Sequence, residues 1–255
     1  MNEFPSNTEL VRSFQTDGFV AMHQFVSGEE LTELLAHVDR FIRDIVPQLP
    51  PEQIFYEDKD NPATLKQIQR MGDHDPWFRE LFTDGRFREV AECLLNGPVM
   101  PKNMQYFNKP PGVGQPTPPH QDGYYFMLDP CDAVTMWFAL DDVDEENGCV
   151  RYVRGSHRRG MRDHARTKTL GFSQGIVDYP TGHDREAETA FPANPGDLLV
   201  HDAMTIHRAD GNRSATRTRR ALGFIYYSER AREDAEAHTA YQHQLAEDMK
   251  FQKKI

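Results

Sequence analysis

The 255-residue sequence predicts a mainly β fold, an antiparallel sandwich or barrel with helical buttresses, and three observations carry that reading. Beyond Pro101 the chain turns to short runs of β-formers separated by Gly, Pro, Asn and Asp. Before that point apolar residues recur at helical spacing. No repeat, low-complexity tract or Gly/Ser-rich linker divides the two textures. Residues 1–255 are therefore expected to form a single domain: a mostly helical part over 1–100, a β core over 101–228 and a C-terminal helix over 229–255.

Taken in order, TELVRSFQTDG predicts a short helix ending at Gly18, and FVAMHQFV alternates weakly as a strand would. In SGEELTELLAHVDRFIRDI the apolar residues Leu31, Leu34, Leu35, Val38, Phe41, Ile42 and Ile45 mark one face of an amphipathic helix. Ser27 and Glu30 stand before it as a capping-box signature. From Asn61 to Leu95 the pattern is again helical, with expected stops at Gly72, Gly85 and Asn96-Gly97. The candidate strands are MQYFN, VTMWFAL, CVRYV, DLLVHD and ALGFIYY, after which a polar tail predicts the last helix.

Charge narrows the partners. With 29 Lys and Arg against 40 Asp and Glu the net charge is −11, which argues against nucleic acid, whose binding needs basic surfaces. The acidity is uneven: residues 151–166 hold six arginines against one aspartate, and residues 208–220 hold five against one. An anionic small molecule therefore stays compatible with the composition. Three cysteines without CxxC spacing read as reduced thiols. No apolar run reaches the ~18 residues of a membrane span, and the N-terminus has no signal-like apolar core, so a cytoplasmic protein without a membrane partner is expected.

Eleven histidines invite a metal site, although composition alone predicts roughly two His-x-acid triplets. Two occur. His37-Val38-Asp39 falls in the amphipathic helix, where positions two apart diverge. His120-Gln121-Asp122 falls in the β region, where an extended segment turns residues i and i+2 to one face. For a third ligand the candidates are His157, His164, His183, His201 and His207, of which His207 lies just past DLLVHD, where the chain returns beside the first strand. Two imidazoles and one carboxylate with open positions suit non-haem Fe(II) rather than a closed zinc site. On spacing alone His207 could equally cap a strand or bond a carbonyl.

Among Arg208, Arg213, Arg217, Arg219 and Arg220, Arg219 opens the strand ALGFIYY, while the first three occupy a loop. A guanidinium there suits the remote carboxylate of a dicarboxylate co-substrate. Alternation turns Arg220 to the opposite face, and a register error of one residue would exchange the two.

With these residues in place the chain resembles the phytanoyl-CoA dioxygenase family of Fe(II)- and 2-oxoglutarate-dependent oxygenases. The pieces that carry the resemblance are DGFV with the SGEEL helix, FNKPPGVG, PHQDGYYF, MWFALDDVDEENGCVRYVRGSH, GIVDY, NPGDLLVHDAMTIHRADGN and RRAL, in that order over residues 10–227. The resemblance implies a double-stranded β-helix, the jelly-roll relative of the cupins. It implies iron ligands at His120, Asp122 and His207, an arginine for 2-oxoglutarate at Arg219, and a tryptophan near the co-substrate at Trp137. Gln105, Asn108 and Lys109 are further candidates for co-substrate contact. The implied reaction takes O2, 2-oxoglutarate and a small-molecule or acyl substrate, hydroxylates a C–H bond and releases succinate and CO2. Asp122 itself favours hydroxylation, since halogenating relatives carry a small residue there. Asn147-Gly148 and Gly155-Ser156-His157 match landmarks that read best as turn geometry. The alternatives are a cupin-like isomerase or dioxygenase without 2-oxoglutarate and a non-catalytic jelly-roll module. Substrate choice is expected in the loops Gly123–Asp132 and Met161–Ala190, the second carrying Phe172, Tyr179 and Arg185.

Overall fold

The computed structural model describes residues 7–169, 172–236 and 239. The chain opens with helix α1 (Asn7–Asp17), strand β1 (Phe19–Met22) and helix α2 (Gly28–Arg40), which runs on into a π-helical turn, Phe41–Ile45. Ser27 does stand extended at the start of α2, but its side chain makes no capping hydrogen bond. Glu30 instead reaches Arg86 at 3.0 Å. Strands β2 (Ile54–Tyr56) and β3 (Leu65–Ile68) follow, and β3 corrects the helical reading of the stretch from Asn61. All four residues of β3 are buried, so its sequence shows no alternation to betray a strand. Helices α3 (Met71–His74), α4 (Pro76–Thr83) and α5 (Arg86–Leu94) complete the N-terminal part. Gly72 lies inside α3 rather than ending a helix, whereas Gly85, at φ +117°, does separate α4 from α5.

The β region holds β4 (Val99–Asn108), β5 (Thr117–His120), the helical turn α6 (Gly123–Phe126), β6 (Leu128–Asp129), β7 (Ala133–Ala139) and β8 (Val150–Val153). Then come β9 (His164–Thr169), β10 (Phe172–Ile176), α7 (Gly182–Ala187), β11 (Glu188–Phe191), β12 (Leu198–Asp202), β13 (His207–Ala209), β14 (Arg220–Ser228) and β15 (Arg232–Glu233). The five sequence-predicted strands fall in β4, β7, β8, β12 and β14. Where the polar tail was expected to begin as a helix, β15 pairs with β6; most of the tail beyond it lies outside the described residues.

A seven-stranded sheet in the order β1-β12-β7-β14-β4-β3-β2 faces a four-stranded sheet in the order β11-β8-β13-β5, with antiparallel pairing throughout. This is the double-sheeted jelly roll that the sequence implied. Helices cover the outer face of the large sheet, so its central strands are buried on both sides. In β14, Leu222, Phe224 and Tyr226 pack into the helical layer, while Ala221, Ile225 and Tyr227 point between the sheets. Val134, Met136 and Phe138 of β7 and Leu198 and Val200 of β12 join the same outer core. Period two then sends Thr135, Trp137 and His201 to the inner face, where they line a cavity. No described helix is long and apolar enough to cross a membrane.

Candidate active site

His120 ends β5 and His207 begins β13, and the two strands pair with these residues directly opposite each other. Their rings lie 4.2 Å apart between centroids. Each Nδ1 meets a backbone carbonyl two residues back, Pro118 O at 2.8 Å for His120 and Thr205 O at 3.0 Å for His207. A carbonyl only accepts, so both Nδ1 atoms carry the proton and both Nε2 lone pairs are left for a metal. The carbonyl bond of His207 is therefore compatible with a metal role, because it engages Nδ1 and leaves Nε2 available.

Asp122 reaches the same point by a route different from the expected extended pairing. Its backbone is helical, at φ −60° and ψ −34°, as the chain enters α6. That bend returns Oδ1 to 3.3 Å from His120 Nε2 and 3.7 Å from His207 Nε2. The three ligand atoms lie within 4.8 Å of one another. Oδ2 faces away and accepts from Thr135 Oγ1 at 2.5 Å and from His201 Nε2 at 3.1 Å. Burial alone would raise the Asp122 carboxyl, but His207, His120 and His201 together hold it well below the ordinary carboxylate range. Burial, reinforced by His201 and His120, pushes the His207 imidazole well below its usual value, so it is neutral and able to ligate. Two imidazoles that turn Nε2 toward one carboxylate oxygen, without a thiolate, fit an iron(II) site with open positions.

Arg219 lies just before β14 and exchanges both backbone hydrogen bonds with Lys109 at 3.2 Å. Its side chain is buried between the sheets, stacked over Trp137 at 5.1 Å, and its Nε donates to Gly148 O at 3.0 Å. Gly148, at φ +91°, comes so close to the Asp210 carbonyl that a Cβ would lie 2.3 Å from that oxygen. Asn147 ties the same turn to Asp142 and Thr218, the structural role expected of it. Arg220 points to the other face, onto Asp141 at 2.8 Å and Asp39 at 3.2 Å. Arg208 is bound by Glu188 and Asp210, and Arg217 by Asp144 and Glu146. No carboxylate among the described residues pairs with Arg219. Burial pushes its guanidinium down to about 10, which leaves it a cation at neutral pH.

A cavity of about 680 Å³ joins His120, Asp122 and His207 to Arg219 and Trp137. Gln105, Asn108 and Lys109 line it too. Gln105 Oε1 accepts from Gln67 Nε2 at 2.7 Å, Asn108 Nδ2 donates to Leu65 O at 2.8 Å, and Lys109 Nζ donates to Gln115 O at 2.5 Å. Lys66 and Gln67 of β3 also line the cavity, as do Tyr125 and Phe126 from the loop 123–132. Strand β3 carries no alternation, so nothing in its sequence marks Lys66 and Gln67 as cavity-lining. The second expected loop, 161–190, contributes no described residue to the cavity. Tyr179 bonds Glu188 there instead, and the Phe172 side chain lies outside the described residues. Of the other candidate histidines, His164 stacks on Tyr124 at 4.3 Å, His157 meets the Gln15 carbonyl, His183 is exposed, and His201 stands behind Asp122.

The family model for phytanoyl-CoA dioxygenase matches residues 14–221. The chain belongs to the phytanoyl-CoA dioxygenase family. It is accordingly an oxygenase with iron and 2-oxoglutarate as its cofactors. The phytanoyl-CoA dioxygenase domain-containing protein 1 homolog of Caenorhabditis briggsae is 23% identical to it over 253 residues, covering 81% of this chain and 86% of that one. The crystal structure of EctD from S. alaskensis with 2-oxoglutarate and 5-hydroxyectoine superposes with a TM-score of 0.75 at 20% identity, covering 92% of this chain and 80% of that chain. The epimerase SnoN in complex with Fe3+, alpha ketoglutarate and nogalamycin RO gives 0.71 at 23% identity, over 89% and 86%. These likenesses show the shared jelly-roll fold.

Proposed function

We propose that this phytanoyl-CoA dioxygenase family member hydroxylates a C–H bond of a small organic substrate, with His120, Asp122 and His207 as the iron ligands and Arg219 as the anchor of 2-oxoglutarate. The observation that carries the reading is Arg219: a buried guanidinium without a described carboxylate partner, in the same cavity as two imidazoles and a carboxylate. A buried cation needs an anion, and the distal carboxylate of a keto acid chelated at the triad supplies one. A jelly-roll metalloenzyme without 2-oxoglutarate would leave that charge unanswered.

When bound, iron with 2-oxoglutarate and oxygen supplies the oxidant that turns C–H into C–OH, with succinate and CO2 as co-products. The chain's own residues orient and enclose. Trp137 holds the Arg219 guanidinium against its ring while Gly148 O fixes Nε. Gln105, Asn108 and Lys109 form the polar wall on the β4 side, beside the proposed co-substrate. Tyr125, Phe126 and Tyr227 give the cavity aromatic lining, and Gln67 and Asn103 add amides, for contact with the substrate. EctD and SnoN, whose structures hold 5-hydroxyectoine and nogalamycin RO, are compatible with a small-molecule substrate here.

The test is spectroscopic and kinetic. Anaerobic addition of Fe(II) and 2-oxoglutarate should produce a visible charge-transfer band, which His120→Ala and Asp122→Ala should lose. Arg219→Ala should raise the KM for 2-oxoglutarate on the order of a hundredfold, the loss of a charge-assisted bidentate contact. Arg219→Lys should not restore it, because an ammonium lacks the planar fork. An unchanged KM in the alanine variant would refute the role of Arg219.

A further inference from the structure

Asp122 offers one oxygen to the metal site, and the other is held by a chain of residues that the iron and 2-oxoglutarate chemistry leaves unexplained. His201, at the inner face of β12, is 3% exposed and points Nε2 at Asp122 Oδ2, 3.1 Å away. Its Nδ1 lies 3.0 Å from the hydroxyl of Tyr152, which is itself fully buried. Thr135 Oγ1 reaches the same Oδ2 at 2.5 Å.

The tautomer follows from these contacts. A carboxylate oxygen only accepts, so His201 must present an Nε2 proton to it, and in the neutral ring Nδ1 is then the acceptor of the Tyr152 hydroxyl. This is the reverse of His120 and His207, whose Nδ1 atoms donate to carbonyls and whose Nε2 atoms face the metal position. The ring of His201 lies only 4.1 Å from that of His207, yet its protonated Nε2 cannot ligate.

We propose that His201, set by Tyr152 and aided by Thr135, is a positioning residue that occupies Asp122 Oδ2 and so commits the carboxylate to bind iron through Oδ1 alone. A carboxylate free to swing could bind through both oxygens and close a position that co-substrate or oxygen must use. This inference rests on the iron-site reading above.

Cobalt(II) titration of the metal-free full-length protein, followed by its visible spectrum, tests it without turnover. Wild type should bind one Co(II) per chain. His201→Leu should bind about tenfold or more weakly, with a changed d–d band as Asp122 shifts its binding mode. His201→Gln, which keeps an N–H near the Nε2 position, should recover most of the affinity. Tyr152→Phe, which removes one hydroxyl and little volume, should weaken binding a few-fold in the same direction. Nitrogen-15 spectra of the imidazoles in the metal-free protein should show Nε2-protonated His201 beside Nδ1-protonated His120 and His207. An unprotonated Nε2 at His201, or a leucine variant with wild-type affinity and spectrum, overturns the inference while leaving the iron site standing. A glutamine variant no better than the leucine overturns it equally, by reducing His201 to packing. Failure of wild type to bind Co(II) at all would instead overturn the iron-site reading and this inference with it.

Discussion

At the scale of single residues, burial decides which charges do chemistry. Eleven arginines fall in the two basic segments. Arg151, Arg154, Arg162, Arg208, Arg217 and Arg220 are each answered by a carboxylate, so the basic character seen in the sequence is largely spent within the fold. Arg219 differs because its neighbours are Trp137 and a backbone carbonyl. Alternation along a strand had already separated it from Arg220. Asp202, at the end of β12, makes a different point. Burial pushes its carboxyl up to about 6, even though Oδ1 accepts from Met204 N at 2.7 Å. A carboxyl raised on folding binds its proton more tightly in the native state, so its contribution to stability is greatest in acid and declines as pH climbs to about 6. Asp202→Asn, which keeps the Met204 bond, should therefore gain on the order of 1 kcal/mol at pH 7.5 and nothing at pH 4. Denaturant titrations at the two pH values check this, and an equal effect at both would contradict it.

Among the elements, what could be read from sequence depended on how many faces of a segment are covered. Helix α2 has one apolar stripe, and its spacing placed it correctly. Strands β7, β12 and β14 are covered on both faces, and their unbroken apolar runs bounded by turn residues still marked them as strands. The short β3 is buried too but includes Lys66 and Gln67, so neither an apolar run nor an alternation remains, and β3 falls within the stretch from Asn61 that reads as helical. The capping box failed for a related reason: Glu30 is drawn to Arg86 on α5, a partner 56 positions away. Helix α5 is anchored by Phe87, which is fully buried, stacks on Phe224 of β14 at 4.2 Å and meets Phe138 of β7 edge-on at 5.6 Å. Phe87→Ala should cost about 3–5 kcal/mol, read as a shift in the urea midpoint. A loss below about 1 kcal/mol would mean that α5 is not part of the cooperative unit with the large sheet.

For the whole molecule, the proposed ligand site lies between the two sheets of the jelly roll, so ligands held there would be thermodynamically linked to the fold. His120 and His207 come from the small sheet, Arg219 and Trp137 from the large one. Mn(II) and 2-oxoglutarate together, each bound only by the native state, should raise the thermal midpoint, with about 2.7 kcal/mol expected from a ligand at a hundred times its Kd. Arg219→Ala should lose the 2-oxoglutarate increment while keeping the Mn(II) one, and loss of both would place the arginine's effect on the fold instead. The sequence by itself determined the fold class, the five main strands and, with the family resemblance, the three side chains His120, Asp122 and His207 that the fold gathers within one cluster, because alternation, turn residues and ordered motifs are local signals. Only the tertiary structure decided that Asp122 turns toward the two histidines through a helical bend, that His201 Nε2 stands 3.1 Å behind its second oxygen, and that β3 lines the cavity. Those facts depend on which strands lie side by side, and proximity between residues distant in the chain leaves no periodic trace in either partner's sequence.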